Sequence, residues 1–277
     1  MGPFCFLKEI VAQAPAMSLR ICVLASGSSA NCTYVASEQT AVLIDAGLSV
    51  RETGRRLAFL GVDLQSICAV CVTHEHEDHS AALGRLHRQY NVALYANAGT
   101  IEAVERDDTM RNLPWQVFTT GAPFKIGDLS FEPFSVPHDS YDPVGFVISS
   151  GAARLAIVTD MGMSTELIRL RLRQCGAVVV ECNHDEELLK NAQRPWSLKQ
   201  RIAGRQGHLS NRQAGELIAD IAGQHLQAVF LAHLSVECNR PDLAVRTVQE
   251  ALARKGCQHV AVKLTYPDRV SDLVILD

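Results

Sequence analysis

The stretch Thr73-His74-Glu75-His76-Glu77-Asp78-His79 carries three imidazoles and an aspartate in the pattern H-x-H-x-D-H. Imidazole and carboxylate are borderline-to-hard donors, the set that suits zinc, manganese or iron. The stretch follows Ile67-Cys68-Ala69-Val70-Cys71-Val72, a β-branched apolar run too short for a helix, which reads as a buried strand. The motif then belongs in the loop at that strand's C-terminal end, where alternate side chains can be turned onto a shared centre. Ser80-Ala81-Ala82-Leu83-Gly84-Arg85-Leu86 starts a helix, with Ser80 as its candidate N-cap. A solvated polar loop is the competing explanation, but such loops seldom pack histidines and an aspartate so tightly.

Later segments end apolar runs on residues of the same kind. Val136-Pro137-His138-Asp139 offers His138, and Val158-Thr159-Asp160 offers Asp160. Val180-Glu181-Cys182-Asn183-His184-Asp185 offers Glu181, His184 and Asp185, and Leu231-Ala232-His233 offers His233. A lone histidine at a strand end is more often structural than a ligand. Several of them after an H-x-H-x-D-H reverse that expectation.

The elements that must position these groups alternate along the chain. Residues 19–25 read as a strand, 26–31 as a small polar loop, and 33–36 with 41–44 as a hairpin ending at Asp45. Helical spacing covers 50–60, and a strand at 92–95 precedes a helix near 99–106. Short β segments fill 115–134, with a turn at Gly127-Asp128, and 144–149 pairs with 154–158 in a hairpin. The second half alternates helices at 164–173, 211–222 and 242–254 with strands at 177–180, 228–231 and 260–264. Two sheets face to face with helices outside both suit this order.

Composition sets the outer bounds. The chain has 277 residues, 47% of them hydrophobic, with a formal charge of −4. Those values describe an ordinary globular protein with a substantial core, and no linker divides residues 17–277, which read as one domain. No apolar stretch approaches the ~20 residues of a membrane helix. Nine cysteines are dilute and odd in number, which excludes a disulfide scaffold and fits a reducing cytosol. Cys68 and Cys71 read as buried core thiols. Residues 1–16 break the pattern. Their apolar stretch is interrupted by Lys8 and Glu9 without a basic lead, so they read as an N-terminal extension, with Met17 as the natural start.

The overall charge gives no global footprint for nucleic acid but leaves room for a local one. Lys190, Arg194, Lys199, Arg201, Arg205 and Arg212 follow one another without an Asp or Glu between, and Trp196 among them can stack on a base. Gly207-His208-Leu209-Ser210-Asn211 then leads into a helix whose free N–H groups can face a phosphate.

THEHEDH resembles the signature of metallo-β-lactamase-fold hydrolases. With ASGSSANCTYV, IDAGLS, VPHD, TDMG, ECNHDEE, GHLSN and AHLSVECNRP, the chain is similar over residues 18–270 to the YycJ/WalJ-like bacterial branch of that family. The resemblance implies an α/β (α+β) fold, a four-layer αββα sandwich without the β-CASP insertion of larger exonucleases. It implies two divalent ions, zinc or manganese with iron as a further option. His74, His76 and His138 would hold one, Asp78, His79 and His233 the other, and Asp160 would bridge them. Asp45 would orient a ligand histidine.

GHLSN resembles a segment of related phosphodiesterases such as tRNase Z, in which a histidine paired with a glutamate handles the scissile phosphate. That role falls to His208 and Glu181, with Asp78 as a further catalytic candidate. Lys199, Arg201, Arg212, Asn31 and His184 are candidate substrate contacts, and Asp185 is a possible helix cap. The activity implied is a 5′-to-3′ DNA exonuclease with a repair role, in the cytoplasm. The absence of a tRNA-gripping arm argues against tRNA processing, and the resemblance implies DNA rather than RNA as the substrate. The alternatives are a hydrolase of a small cyclic phosphate or thioester and a non-catalytic metal-stabilised scaffold.

Overall fold

The computed structural model describes residues 18–277. The extension at 1–16 and the start at Met17 lie outside the described residues. In chain order the first strands are β1 (Leu19–Ala25), β2 (Cys32–Ala36), β3 (Ala41–Ile44), β4 (Ala69–Cys71), β5 (Ala93–Ala96) and β6 (Trp115–Val117). They are followed by β7 (Phe124–Ile126), β8 (Leu129–Ser135), β9 (Val144–Ser150), β10 (Ala153–Val158), β11 (Ala177–Glu181), β12 (Ala228–Ala232), β13 (Ala261–Leu264) and β14 (Val274–Leu276). The helices in the first half are α1 (Val50–Phe59), α2 (Glu77–Ser80), α3 (Leu83–Tyr90) and α4 (Ala98–Val104). Those in the second are α5 (Glu166–Leu172), α6 (Glu186–Asn191), α7 (Trp196–Ile202), α8 (Asn211–Ile221) and α9 (Pro241–Arg254).

One sheet runs β14-β1-β2-β3-β4-β5-β6 and the other β13-β12-β11-β10-β9-β8-β7. Strand periodicity explains the layers. In β1, Leu19, Ile21 and Val23 enter a core with Phe131, Phe146 and Phe230 of the other sheet, while Cys22 and Leu24 join the outer layer with Leu57 and Leu86. In β12, Ala228 and Phe230 face inward, and Val229 and Leu231 pack outward with Leu217, Ile218 and Val248 of α8 and α9. Strands buried on both faces are apolar along their whole length, which is why they show in the sequence as continuous runs. The result is an αββα sandwich, as expected from the motifs.

The strands that carry chemistry are parallel: β3 with β4, and β10 with β11 and β12. Their carboxyl ends therefore lie together, at the edge where open α/β sheets bind ligands. Asp45 follows β3, the histidine motif follows β4, Asp160 follows β10, Glu181 ends β11 and His233 follows β12.

Three local expectations are corrected. Ser80 caps nothing: it is the last residue of α2, and its hydroxyl donates back to the carbonyls of Glu75 and His76. The motif is thus only half loop, since Glu77, Asp78 and His79 begin that short helix. Cys68 is exposed and lies just before β4, with its thiol on the Ala41 carbonyl, while Cys71 is buried as expected. The cysteines of the described residues are free. No helix among the described residues is long and apolar enough to cross a membrane.

Candidate metal centre

Asp45, Asp160 and His233 have φ of 62°, 53° and 54°. A left-handed backbone is uncommon outside glycine and persists where surrounding contacts over-determine it. Here those contacts are the site itself. The Asp45 carboxylate accepts from Thr73 N–H at 2.8 Å and from Thr73 Oγ1 at 2.9 Å. It also lies 2.8 Å from His79 Nδ1. A carboxylate only accepts, so His79 carries its proton on Nδ1 and turns Nε2 toward the cluster. Asp45 thus occupies the orienting position expected of it.

Asn31 lies where a substrate contact was expected, but its amide is fully engaged within the protein. Its oxygen accepts from Gly27 N–H, which leaves Nδ2 facing His79 Nε2 at 2.9 Å and Asp78 Oδ2 at 3.0 Å. Two loops, the one after β1 and the one after β3, grip the motif through their backbones. Asn31 N–H donates to the Asp78 carbonyl and Ala46 N–H to the His79 carbonyl, each at 2.7 Å. Gly47 permits this approach, because a Cβ there would lie 1.8 Å from the Asp78 oxygen.

Donor atoms of His74, His76 and His138 lie within 4.8 Å of one another, as do those of Asp78, His79 and His233, and those of His74, His79 and Asp160. Asp160 stands between the groups. Its Oδ2 is 3.1 Å from His79 Nε2 and its Oδ1 is 3.4 Å from His233 Nε2. Asp78 Oδ2 is 3.4 Å from His79 Nε2 and 3.6 Å from His233 Nε2. Yet Asp160 Oδ2, His138 Nε2 and His233 Nε2 are buried and make no hydrogen bond among the described residues. Atoms this close but misaligned point at a common centre rather than at each other. Donors held at 2.0–2.1 Å around a tetrahedral ion would sit about 3.4 Å apart, so the set fits divalent metals.

Protonation follows from the partners. Burial pushes the His74 pKa well down and the His138 pKa down, so both imidazoles are neutral. His138 Nδ1 donates to the Gly207 carbonyl at 3.2 Å, which leaves the Nε2 lone pair for the cluster. Burial also pushes His233 down, but Asp160, Asp78 and Glu181 outweigh it and raise its pKa to about 10. Burial would raise the Asp160 carboxyl, yet His233 and His79 hold it well below the usual carboxylate range.

Beside this cluster, Glu181 is fully buried and its Oε1 lies 2.5 Å from His208 Nδ1. Its Oε2 accepts from the N–H groups of Met161 and Leu209 at 3.0 and 3.2 Å. Ser210 caps α8, in a reciprocal pair with Gln213, so His208 is left free of the helix end. His208 N–H instead donates to the Ile202 carbonyl at 2.8 Å, so the end of α7 fixes where the imidazole stands. Gly207 is needed for this, since a Cβ would lie 2.1 Å from the Arg201 carbonyl. His208 lines a cavity of about 250 Å³ together with His76, Asp78, His138, Asp160 and His233.

Residues 40–233 match the beta-lactamase superfamily domain. The chain belongs to the metallo-β-lactamase superfamily. Exodeoxyribonuclease YycJ of Bacillus anthracis is 35% identical over 243 residues, covering 87% of this chain and 91% of that one. Exodeoxyribonuclease WalJ of Streptococcus pneumoniae is 33% identical over 235 residues, 84% and 87% of the two chains. The metallo-β-lactamase fold protein YhfI from Bacillus subtilis has the same fold, with a TM-score of 0.71 at 14% identity over 94% of this chain and 100% of that one. Within the superfamily this chain falls in the YycJ/WalJ-like branch, and it is a metal-dependent hydrolase.

The basic segment expected to bind substrate divides in the structure of this metallo-β-lactamase-superfamily chain. Arg201 lines the metal cavity, with Nε 2.5 Å from Asp139. Arg194 lines it too, paired with Glu237 at 2.6 Å. Lys199 and His184 line a different cavity, on the other side of α7. Arg212 is turned away onto Glu186 and Glu216 at 3.0 and 2.8 Å. Asp185 caps α6 by accepting from the N–H groups of Glu187 and Leu188.

Three contributors were not singled out from sequence, one of them Glu237, the partner of Arg194. Asp139 holds Arg201, and its place directly after His138 was the available signal. Asn183 donates from Nδ2 to the His233 carbonyl at 2.9 Å, and nothing in its local sequence marks that contact.

Proposed function

We propose that the chain is a two-metal 5′-to-3′ DNA exonuclease acting in cytoplasmic DNA repair. The observation that carries this reading is the buried Glu181 with its Oε1 2.5 Å from His208, against the metal-type cluster. Hydrolysis of a phosphodiester expels an alkoxide, which needs a proton. A glutamate-held imidazole supplies one beside the reacting phosphorus. A thioester releases a thiolate, which needs no such pair. The names of the YycJ and WalJ relatives support DNA as the strand.

His74, His76 and His138 would hold one ion, and Asp78, His79 and His233 the second, with the Asp160 carboxylate between. When bound, the ions supply Lewis acidity, which makes hydroxide available near neutral pH and neutralises charge on a phosphate oxygen. The chain's own groups do the rest. Glu181 holds Nδ1–H of His208, leaving Nε2 to protonate the departing oxygen. Arg194 and Arg201 have each committed part of a five-donor guanidinium to an acid, and their remaining N–H groups bind backbone phosphates. Asp139 and Glu237 aim them.

The test offers DNA and RNA strands, labelled at either end, to the wild type and to Asp78→Ala. Stepwise loss from the 5′ end of DNA, absent in the variant, supports the reading. Internal cuts, preference for RNA, or loss from the 3′ end would overturn its finer terms.

A further inference from the structure

α7 separates two cavities. Leu198, Arg201 and Ile202 line the metal cavity. Trp196, Lys199 and Ala203, at the other side of the same helix, line a second cavity of about 190 Å³, faced by His184 and Leu189. The two are close neighbours. Asn183 N–H donates to the Leu209 carbonyl and Asn211 N–H to the His184 carbonyl, so the segment bearing His184 runs beside the one bearing His208. A helix about 10 Å across is what lies between them.

The chemistry of the second cavity differs from that of the first. Leu189 and Ala203 make its walls apolar, and Trp196, 67% exposed, stands at its mouth. His184 is 2% exposed, and its buried Nδ1 makes no hydrogen bond among the described residues. Burial pushes the His184 pKa down, so the ring is neutral and offers one donor and one acceptor. A buried polar atom without a partner costs free energy unless a ligand completes it. Lys190 and Lys199 place positive charge at the rim, with Lys199 Nζ held 2.6 Å from the Lys190 carbonyl, while the Glu186 carboxylate that also lines the cavity is paired with Arg212 at 3.0 Å.

We propose that this cavity is a nucleobase subsite. It holds the base of a nucleotide flanking the scissile phosphate, stacked on Trp196, with its polar edge against His184. A flat ring with hydrogen-bonding groups on one side answers the apolar walls and the unpartnered imidazole together. The sugar–phosphate would cross the exposed face of α7, where Lys199 and Arg201 lie. That the strand continues into the metal cavity rests on the exonuclease reading, whereas binding of a base does not. Stacking on one aromatic side chain is worth about tenfold or more in binding.

The experiment has two arms. Trp115→Phe leaves Trp196 as the one tryptophan of the two in the chain. In that background, deoxyadenosine 5′-monophosphate should quench fluorescence at concentrations where deoxyribose 5-phosphate does not. Ala203→Phe, which fills the cavity from an exposed position, should weaken the nucleotide by tenfold or more. His184→Ala should do the same. In the second arm, strands carrying one abasic position beside the cleaved bond are compared with intact strands. The wild type should favour the intact strand about tenfold through KM, and Trp196→Ala or Ala203→Phe should bring that ratio toward one.

Equal quenching by the sugar phosphate, or discrimination that survives both variants, overturns the subsite. A protein that binds the nucleotide through Trp196 but degrades no strand keeps the subsite and removes the exonuclease reading. Degradation without base discrimination does the reverse.

Discussion

Replacing Glu181 with glutamine should separate proton supply from metal binding. The substitution keeps the shape of a fully buried side chain and removes its charge. Burial pushes the His208 pKa down, and in the wild type Glu181, with Asp160, outweighs burial and holds it above the ordinary 6.5. A raised pKa means that the imidazolium is complete below 6.5 and is lost only as the pH rises through the folded value. Without the Glu181 charge, burial faces Asp160 alone across 3.6 Å, and the ring loses its proton at a lower pH.

A positioned acid is worth about 10²–10⁴ in rate, so turnover of DNA at pH 7.5 should fall at least a hundredfold, and the alkaline limb of the profile should move to lower pH. The assay compares this with an aryl phosphodiester, whose nitrophenolate leaves without a proton and whose turnover should fall far less. Metal content, measured by plasma mass spectrometry on the same samples, should not change. Equal loss on both substrates, or a lost ion, would refute the reasoning.

Asp160→Ala should bind fewer than two ions per chain and show no hydrolysis, because its oxygens reach toward both donor groups; metal analysis and turnover check this together. Gly47→Ala should cost about 1–3 kcal/mol or more of stability, since the new methyl would collide with the Asp78 carbonyl, and denaturant melts should show it alongside weakened metal binding. His233, with its pKa raised to about 10, is protonated in the metal-free protein at pH 7.5. Metal binding should therefore release that proton, which calorimetry in buffers of different ionisation enthalpy detects. Burial would raise the Glu181 carboxyl, but His208 and His233 hold it down to about 2 against an ordinary 4.5. Its contribution to stability is thus present above 4.5 and lost as the pH falls toward 2, and acid unfolding of Glu181→Gln should lack that part of the slope.

The fold was legible where strands are buried on both faces. Residues 19–25 appear as β1 with the same ends, and the apolar runs behind Asp160, Glu181 and His233 are parallel strands whose carboxyl ends must lie together. The short final strand β14 was not legible. Val274–Leu276 pairs with β1 across most of the chain, and three residues carry no periodicity of their own. α7 was also hidden. Its seven residues bury none completely, so no apolar stripe marks it, and a charge run was all that showed.

The same contrast holds at the site. Donor types and motif order brought seven metal-type residues to notice. The direction of each charged side chain depends on neighbours far away in sequence. Arg212 follows Glu186, 26 positions away, as well as Glu216 one helical turn on, and Arg201 follows Asp139, 62 positions away. Asn31 behaves likewise, because its bonds to Asp78 and His79 span almost fifty positions.

The most direct test of two-metal DNA hydrolysis is a titration of the metal-free protein with manganese or zinc, following release of nucleotides from 5′-labelled DNA at each addition. Little activity is expected at one equivalent and full activity on approach to two, with Asp78→Ala silent throughout. Full activity at one equivalent, or intact DNA with two ions bound, would contradict it.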